Sequence, residues 1–345
     1  MIKKKIIIFI IAVIMTIIII PVDKIIILAQ EEQDYINEII NNSIIIRVGS
    51  PKALVNGEIK YIDTNRNIVP FIDENNRTLV PVRFISEKLN WQVDYDEQNK
   101  QITLSQTMFR PIIMNIDSNI FVYDNQKHFV DSTPVLYQDR TFIPLRAFVE
   151  MALKMNILYV NSERIIIISD IINIDSKSAK NAADKITDKL PVWLLDMDKV
   201  QIEWKNWPQY ENNENDTDDT DVENGENEEE YHSGTDFAVP LGSNVYSVYS
   251  GTVDTVADMG DEKYGKYVII KSIINNKDRY MYYAHLDEFS VSIKEGDKIY
   301  AGYIIGKSGN SGNSEGPHLH YEVRNEYKSY GSIDNPTLNP YDYLP

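Results

Sequence analysis

The sequence predicts a multi-domain chain in which an N-terminal duplicated α+β module precedes a C-terminal all-β domain of barrel or sandwich type. Three observations predict it. A pattern of strand, proline and amphipathic segment in the first half recurs about sixty residues later, the mark of an internal repeat. A tract of Asn, Asp, Glu and Thr without a basic residue, over 210–230, separates the two halves. The last third consists of short runs of β-formers punctuated by glycine. A length of 345 residues favours about two domains, each able to bury a core.

The chain opens with Met1-Ile2-Lys3-Lys4-Lys5 and an apolar run over 6–20, the basic and hydrophobic parts of a secretory signal. Lysines ahead of such a run stay cytoplasmic and send the rest of the chain outward. Ala29 offers a poor cleavage site because Ile27 is not small. Residues 6–22 also reach the lower end of the ~17–25 residues that a membrane span needs. Residues 1–30 therefore read as a signal peptide or an uncleaved N-terminal membrane anchor, and either one makes the chain exported.

Residues 44–170 hold the repeat. Arg77-Thr78-Leu79-Val80-Pro81-Val82-Arg83-Phe84-Ile85 recurs as Arg140-Thr141-Phe142-Ile143-Pro144-Leu145-Arg146-Ala147-Phe148. Each copy runs from a short strand through a proline suited to a helix start, and each then returns as strands. The returning strands are Gln92-Val93-Asp94-Tyr95 and Gln101-Ile102-Thr103-Leu104 in the first copy, and Ile157-Leu158-Tyr159-Val160 and Ile165-Ile166-Ile167-Ile168 in the second. This pattern resembles the copper-amine-oxidase N-terminal-like (stalk) domain found beside extracellular enzymes. Despite that name no copper site is expected, because His128 is the module's one histidine. Arg83 and Arg146 are read as structural.

Residues 171–230 are expected to be a helix followed by an acidic disordered linker. Ala179, Ala182, Ala183 and Ile186 recur at helical spacing and the pattern stops before Pro191. The aromatic stretch 193–207 is expected to pack on one domain or the other. Like charge without relief keeps the tract 210–230 extended and solvated. Asp219, Asp221 and Glu223 imitate the opening of a calcium loop, but the glycine required at the sixth position stands seventh, as Gly225.

In residues 231–345 the strands are read at 244–249, 267–271, 280–284, 298–300 and 318–323. Gly302 to Ser308 imitates a phosphate loop but is one residue short of the required spacing, and its flanks are strands.

Chemistry concentrates here. The chain has five histidines, four of them at 232, 285, 318 and 320, and no cysteine, so a metal must use His, Asp or Glu. A net charge of −18 argues against a nucleic-acid binder. His318 and His320, separated by one residue in a β run, share a strand face about 7 Å apart. His232 precedes Asp236 by four residues, with Gly234 between them, in a segment read as a loop entering a strand. Two imidazoles and one carboxylate, with a fourth position open, form a known kind of catalytic zinc site.

The pieces His232-x-Gly234-x-Asp236, Ala284-His285-Leu286, Gly309-Asn310-Ser311-Gly312-Asn313-Ser314 and Gly316-Pro317-His318-Leu319-His320-Tyr321-Glu322 together resemble the lysostaphin-type (LytM-like) zinc metallo-endopeptidases of bacterial cell walls. The resemblance implies that His232, Asp236 and His320 bind Zn²⁺. It also implies that His285 and His318 are catalytic, one as base and the other as oxyanion donor, in an order the sequence leaves open. Glu322 is either a partner of His320 or a structural acid. One departure stands out: the Arg-x-His-Pro stretch common before the first ligand in this family is replaced by residues 226–230. The function implied is hydrolysis of peptidoglycan cross-links or stem peptides at the cell wall, with membrane contact only through an uncleaved N-terminus. A catalytically silent envelope scaffold or regulator of the same fold and a wall-binding protein acting through the repeated module are the alternatives.

Overall fold

A computed structural model describes residues 22–197, 199–200, 233–290, 292–326 and 337–345. The apolar run 6–20, the tract 210–230 and His232 lie outside the described residues, and with them the expectations placed on each. Among the described residues no helix is long and apolar enough to cross a membrane.

Helix α1 (Val22–Asn41) leads into strands β1 (Ser43–Arg47), β2 (Lys52–Val55), β3 (Glu58–Tyr61), β4 (Phe71–Ile72) and β5 (Thr78–Pro81). Helix α2 (Val82–Lys88) comes directly after Pro81, then β6 (Gln92–Asp96), β7 (Gln101–Ser105), β8 (Ile112–Asn115), β9 (Ile120–Tyr123) and β10 (Gln126–Phe129). Strands β11 (Val135–Tyr137) and β12 (Arg140–Pro144) precede a π-helical turn, Ala147–Leu153, and the hairpin β13 (Asn156–Val160) and β14 (Ile165–Ser169). The second helix is therefore wound more loosely than its counterpart α2. The strands form three sheets, ordered β13-β14-β1-β2-β3, β10-β9-β8-β7-β6 and β11-β12-β5-β4. Strand β12 lies antiparallel to β5, so the two proline-bearing segments face each other with Ile143 opposite Val80. His128, on the edge strand β10, stacks on Phe121.

The isoleucine runs have a physical reason. Strands β1 and β14 are buried on both faces, so alternation divides their side chains between two cores instead of between core and water. Ile44, Ile46, Ile166 and Ile168 enter the module's main core, while Ile45, Ile165 and Ile167 meet a layer of helices on the other side. That layer is α1 with Ile36, Ile39 and Ile40, and α3 (Ser176–Ile186) with Ala179, Ala182, Ala183 and Ile186. Asp175 caps α3, its carboxylate accepting from the backbone N–H groups of Lys177 and Ser178 at 2.9 Å.

In the C-terminal region, among the described residues from 233 onward, the regular elements are strands except for a 3₁₀ turn at Pro340–Tyr343. Its strands are β15 (Thr235–Ala238), β16 (Asn244–Tyr246), β17 (Gly251–Asp258), β18 (Lys266–Ile274), β19 (Lys277–Phe289), β20 (Lys298–Ile299), β21 (Ile304–Ser308) and β22 (His318–Arg324). They form one sheet ordered β15-β22-β19-β18-β17-β20, with β21 joining β19 to β16. Phe237, Tyr283, Leu286, Leu319, Tyr321 and Val323 fill its core.

The segment after α3 bridges the two regions. Trp193 Nε1 donates to the Arg66 carbonyl in the module at 2.8 Å, whereas Leu194 and Leu195 are buried in the C-terminal core. Val192 N donates to Val248 O and Tyr246 N to Leu194 O, so this stretch is hydrogen-bonded to the C-terminal sheet region. Beneath it lies Arg47, fully buried. Its guanidinium donates to the carbonyls of Glu163, Thr187 and Leu190, to Thr187 Oγ1, to the Glu163 carboxylate and to Ser250 Oγ. Ser250 in turn donates to the same carboxylate at 2.9 Å. Burial pulls the Arg47 pKa down to about 10, which still leaves it charged near neutrality.

This joint has two measurable consequences. Arg47→Ala removes the buried charge beside Glu163 and the donor shared by the carbonyls of Glu163, Thr187 and Leu190, and should cost about 3–5 kcal/mol of stability, read by denaturant unfolding. Protease cleavage between Tyr210 and Tyr231 should give two fragments on a denaturing gel that still co-elute under native conditions, because Leu194 and Leu195 remain in the C-terminal core.

Candidate active site

The site is assembled by the register of β22 against its two neighbours. Asp236 on β15 stands opposite His320, and Ala238 stands opposite His318. On the other side Ala284 of β19 pairs with His320 and Tyr282 with Glu322. Leu319, Tyr321 and Val323 turn to the core, so alternation sends His318, His320, Glu322 and Arg324 to the opposite face as a polar stripe. The expectation that the two histidines share a face holds.

His320 is 4% exposed, and its Nδ1 lies 2.9 Å from Asp236 Oδ1. Burial alone would lower its pKa, but the carboxylates of Asp236 and Glu322 outweigh that and raise it to about 9. His318 Nε2 lies 3.6 Å from the same Asp236 oxygen. Its Nδ1 is 2.8 Å from the Gly316 carbonyl. A carbonyl only accepts, so Nδ1 carries a proton and Nε2 is the nitrogen left to face the site.

His285 reaches the site by an irregularity. Tyr283 and Leu286 point to the core and Ala284 to the other face, so strict alternation would bury His285 in the core. Instead its φ is +59°, where the register of β19 against β18 shifts between Tyr283 and Leu286, and its ring lies 4.7 Å from that of His318 and 5.8 Å from that of His320. Such a conformation costs roughly 1–3 kcal/mol in a non-glycine residue and needs support. The support comes from its backbone N–H, which donates to Tyr264 O, and from Nδ1, which donates to Ser311 O at 2.7 Å. Burial first, then the neighbouring His320, lower the His285 pKa to about 4. Ser311 also donates to Leu286 O and accepts from Lys266 N, which ties the 309–314 loop to β18 and β19.

Behind His320, the Glu322 carboxylate is fully buried and accepts from Tyr264 at 2.6 Å, from Ser233 at 2.9 Å and from Arg324. Burial would raise its pKa, yet His320 and Arg324 hold it below the usual carboxylate value. Desolvation and Glu322 push the Tyr264 hydroxyl far above its ordinary value, so it serves as a donor. Ser233, Tyr264, Ser311 and Arg324 were not singled out by sequence reasoning. Of these Ser311 lay in a quoted motif and Ser233 at an unspecified position of another; Tyr264 and Arg324 carry no local signal, because their role exists only across the fold.

The structure thus brings together Asp236, His285, His318 and His320. His232 lies outside the described residues, and among those described no group of three His, Cys, Asp or Glu is arranged to hold a metal ion. The donor set nevertheless suits zinc. One imidazole nitrogen and one carboxylate oxygen converge, and Gly234 leaves no room for a side chain beside them. A Cβ at Gly234 would come within 2.7 Å of His320 Nε2 and 2.5 Å of the Tyr321 carbonyl. Gly234→Ala should displace His320 or the strand beneath it. A shift of that order costs about 10²-fold or more in activity, and zinc content measured on the same preparation should fall with it.

A model described as peptidase family M23 matches residues 230–332, and one described as copper amine oxidase N-terminal domain matches residues 65–168. The peptidoglycan DD-endopeptidase ShyA of Vibrio cholerae is 41% identical over 92 residues, which are 27% of this chain and 20% of that protein. Lysostaphin of Staphylococcus simulans is 36% identical over 91 residues, 26% of this chain and 17% of that protein. The chain thus spans about a fifth of the length of these relatives. A solved mutant catalytic domain of the prophage-encoded M23 protein EnpA from Enterococcus faecalis is 33% identical, covering 36% of this chain and 86% of that one with a TM-score of 0.27. Residues 230–332 are a peptidase family M23 domain, carried behind a copper amine oxidase N-terminal domain at 65–168.

Proposed function

We propose that the chain is a zinc-dependent peptidoglycan endopeptidase that hydrolyses peptide cross-links or stem peptides of the bacterial cell wall. The observation that carries this reading is the convergence of Asp236, His318, His320 and His285 on one face of the β15-β22-β19 sheet, inside a domain of a peptidase family. The peptidoglycan substrate is taken from the names of similar proteins, ShyA among them.

In this reading His232, Asp236 and His320 hold one zinc ion. When bound, zinc supplies Lewis acidity toward a peptide carbonyl and toward water. The chain's own part is played by two imidazoles. His318 and His285 each give their Nδ1 proton to a backbone carbonyl, Gly316 O and Ser311 O. Each neutral ring can then take or return a proton only at Nε2. Both rings are fixed before substrate arrives, one as base and the other as hydrogen-bond donor to the tetrahedral oxyanion once protonated.

The rest of the chain serves delivery. Residues 1–30 would export the protein, as a cleaved signal or an anchor, and the segments 44–170, 171–230 and 231–345 would act as stalk, connector and enzyme. A duplicated origin of the stalk is supported by the pairing of β5 with β12 and by an exchange of hairpins. The pair β6–β7 joins the sheet of β8–β10, and β13–β14 joins that of β1–β3.

The test compares three variants for zinc content and for hydrolysis of purified peptidoglycan. His320→Ala should lose zinc and activity together. His318→Ala and His285→Ala should keep near-stoichiometric zinc while activity falls, by ~10²–10³ for the oxyanion donor. If His318→Ala loses zinc as fully as His320→Ala, the division of roles is wrong. If none of the three changes hydrolysis, the catalytic reading of these residues fails, and if the wild type itself does not hydrolyse peptidoglycan, a silent scaffold of the same fold replaces the enzyme. Mass spectrometry of the released fragments identifies the bond.

A further inference from the structure

We propose that Glu322 is a positioning residue for the metal site, holding the back of His320 and the Ser233 hydroxyl of the loop entering β15 through a single carboxylate oxygen. This rests on the zinc reading above and adds to it a residue outside the ligand set.

The two oxygens of Glu322 are used differently. Oε1 takes the Arg324 guanidinium. Oε2 takes Tyr264 at 2.6 Å and Ser233 at 2.9 Å, and stands 3.5 Å from His320 Nε2. A carboxylate kept only to neutralise Arg324 would need no such convergence on its far oxygen. The groups at Oε2 come from three places: Ser233 in the loop that enters β15, Tyr264 two residues before β18, and His320 on β22 itself. The group is fully buried, where an ionised carboxylate persists only if paired and hydrogen-bonded. Aromatic rings close the pocket over it, Tyr264 beside Tyr282, with the Arg324 guanidinium over the Tyr282 ring.

The consequence is directional. An anion behind Nε2 keeps a proton there, so the proton that Nδ1 holds toward Asp236 Oδ1 at 2.9 Å is the one a metal ion would displace. Ser233 extends the same hold along the chain: its hydroxyl is bonded to Glu322, so one buried carboxylate ties the loop that enters β15 to the back of His320. Gly234, whose Cβ position is filled by His320 and Tyr321, lets that loop lie close enough for Ser233 to reach.

The experiment measures zinc affinity by chelator competition, and thermal unfolding after chelator treatment, on the full chain. Wild type is compared with Glu322→Gln and Tyr264→Phe. Glu322→Gln should bind zinc about 10–100-fold more weakly. Tyr264→Phe, which removes one donor but keeps the carboxylate, should bind more weakly by a smaller factor. Its metal-free unfolding midpoint should stay close to wild type. A purely structural acid predicts the reverse: a lowered metal-free midpoint in Glu322→Gln with wild-type zinc affinity in both variants, and that result overturns the proposal. If Glu322→Gln does not fold, Tyr264→Phe decides alone, and unchanged affinity in it overturns the proposal. A wild-type chain that takes up no zinc overturns the zinc reading itself, a failure distinct from equal affinity in wild type and variants.

Discussion

The antiparallel register of β15 on β22 is the constraint on which the site depends. It sets Asp236 opposite His320 and Ala238 opposite His318. Alternation makes this register all-or-none, because a slip of one residue would send Asp236 into the core and Phe237 out of it. The core itself prevents the slip: Phe237, Leu319 and Tyr321 are at most 1% exposed. Apolar packing on one face of the sheet therefore decides the spacing of the polar side chains on the other.

Close backbone approach is the second requirement. Gly234 lies against His320, and a Cβ at Gly309 would meet the backbone of Leu286 and Asp287 well inside contact distance. Gly265, at φ +57°, lies just as tightly against Ser311 and Gly312. These contacts clamp the 309–314 loop onto β18 and β19, and that clamp lets Ser311 hold His285 in its left-handed conformation. The site is thus built in advance: each imidazole has a partner at Nδ1 before any substrate or metal is considered. Preorganisation of this kind is what hydrolysis requires, since the cost of ordering the groups falls on folding and not on the reaction.

The joint between the two regions obeys the same logic with different chemistry. A buried arginine is tolerable only when its donors are satisfied, and Arg47 meets this with backbone carbonyls from two segments, the Glu163 carboxylate and Ser250. The stretch holding Leu194 and Leu195 then enters the C-terminal core. A connection of this sort carries the stalk and the peptidase domain as packed neighbours rather than as beads on a string.

Several things were legible in the sequence by itself because they depend on local pattern. Period-two alternation placed His318 and His320 on one face, helical spacing identified α3, glycine-punctuated β-formers announced the all-β region, and the repeat with its two prolines marked the N-terminal module. The motif around Gly234 and Asp236 pointed to a loop entering a strand, which is β15. The tertiary structure alone decided the rest. The isoleucine runs of β1 and β14 announce strands buried on both faces, but only the fold shows what covers the second face: α1, just before β1, and α3, just after β14, meet there as one layer. Alternation read literally would have sent His285 into the core; only a register shift and a carbonyl supplied by the 309–314 loop bring it to the site. Glu322 could be named from its position, but the donors that meet it, Ser233 and Tyr264, lie 89 and 58 residues away along the chain. Sequence determines which residues a strand offers to each face; what meets them there is decided by packing between segments that no local pattern connects.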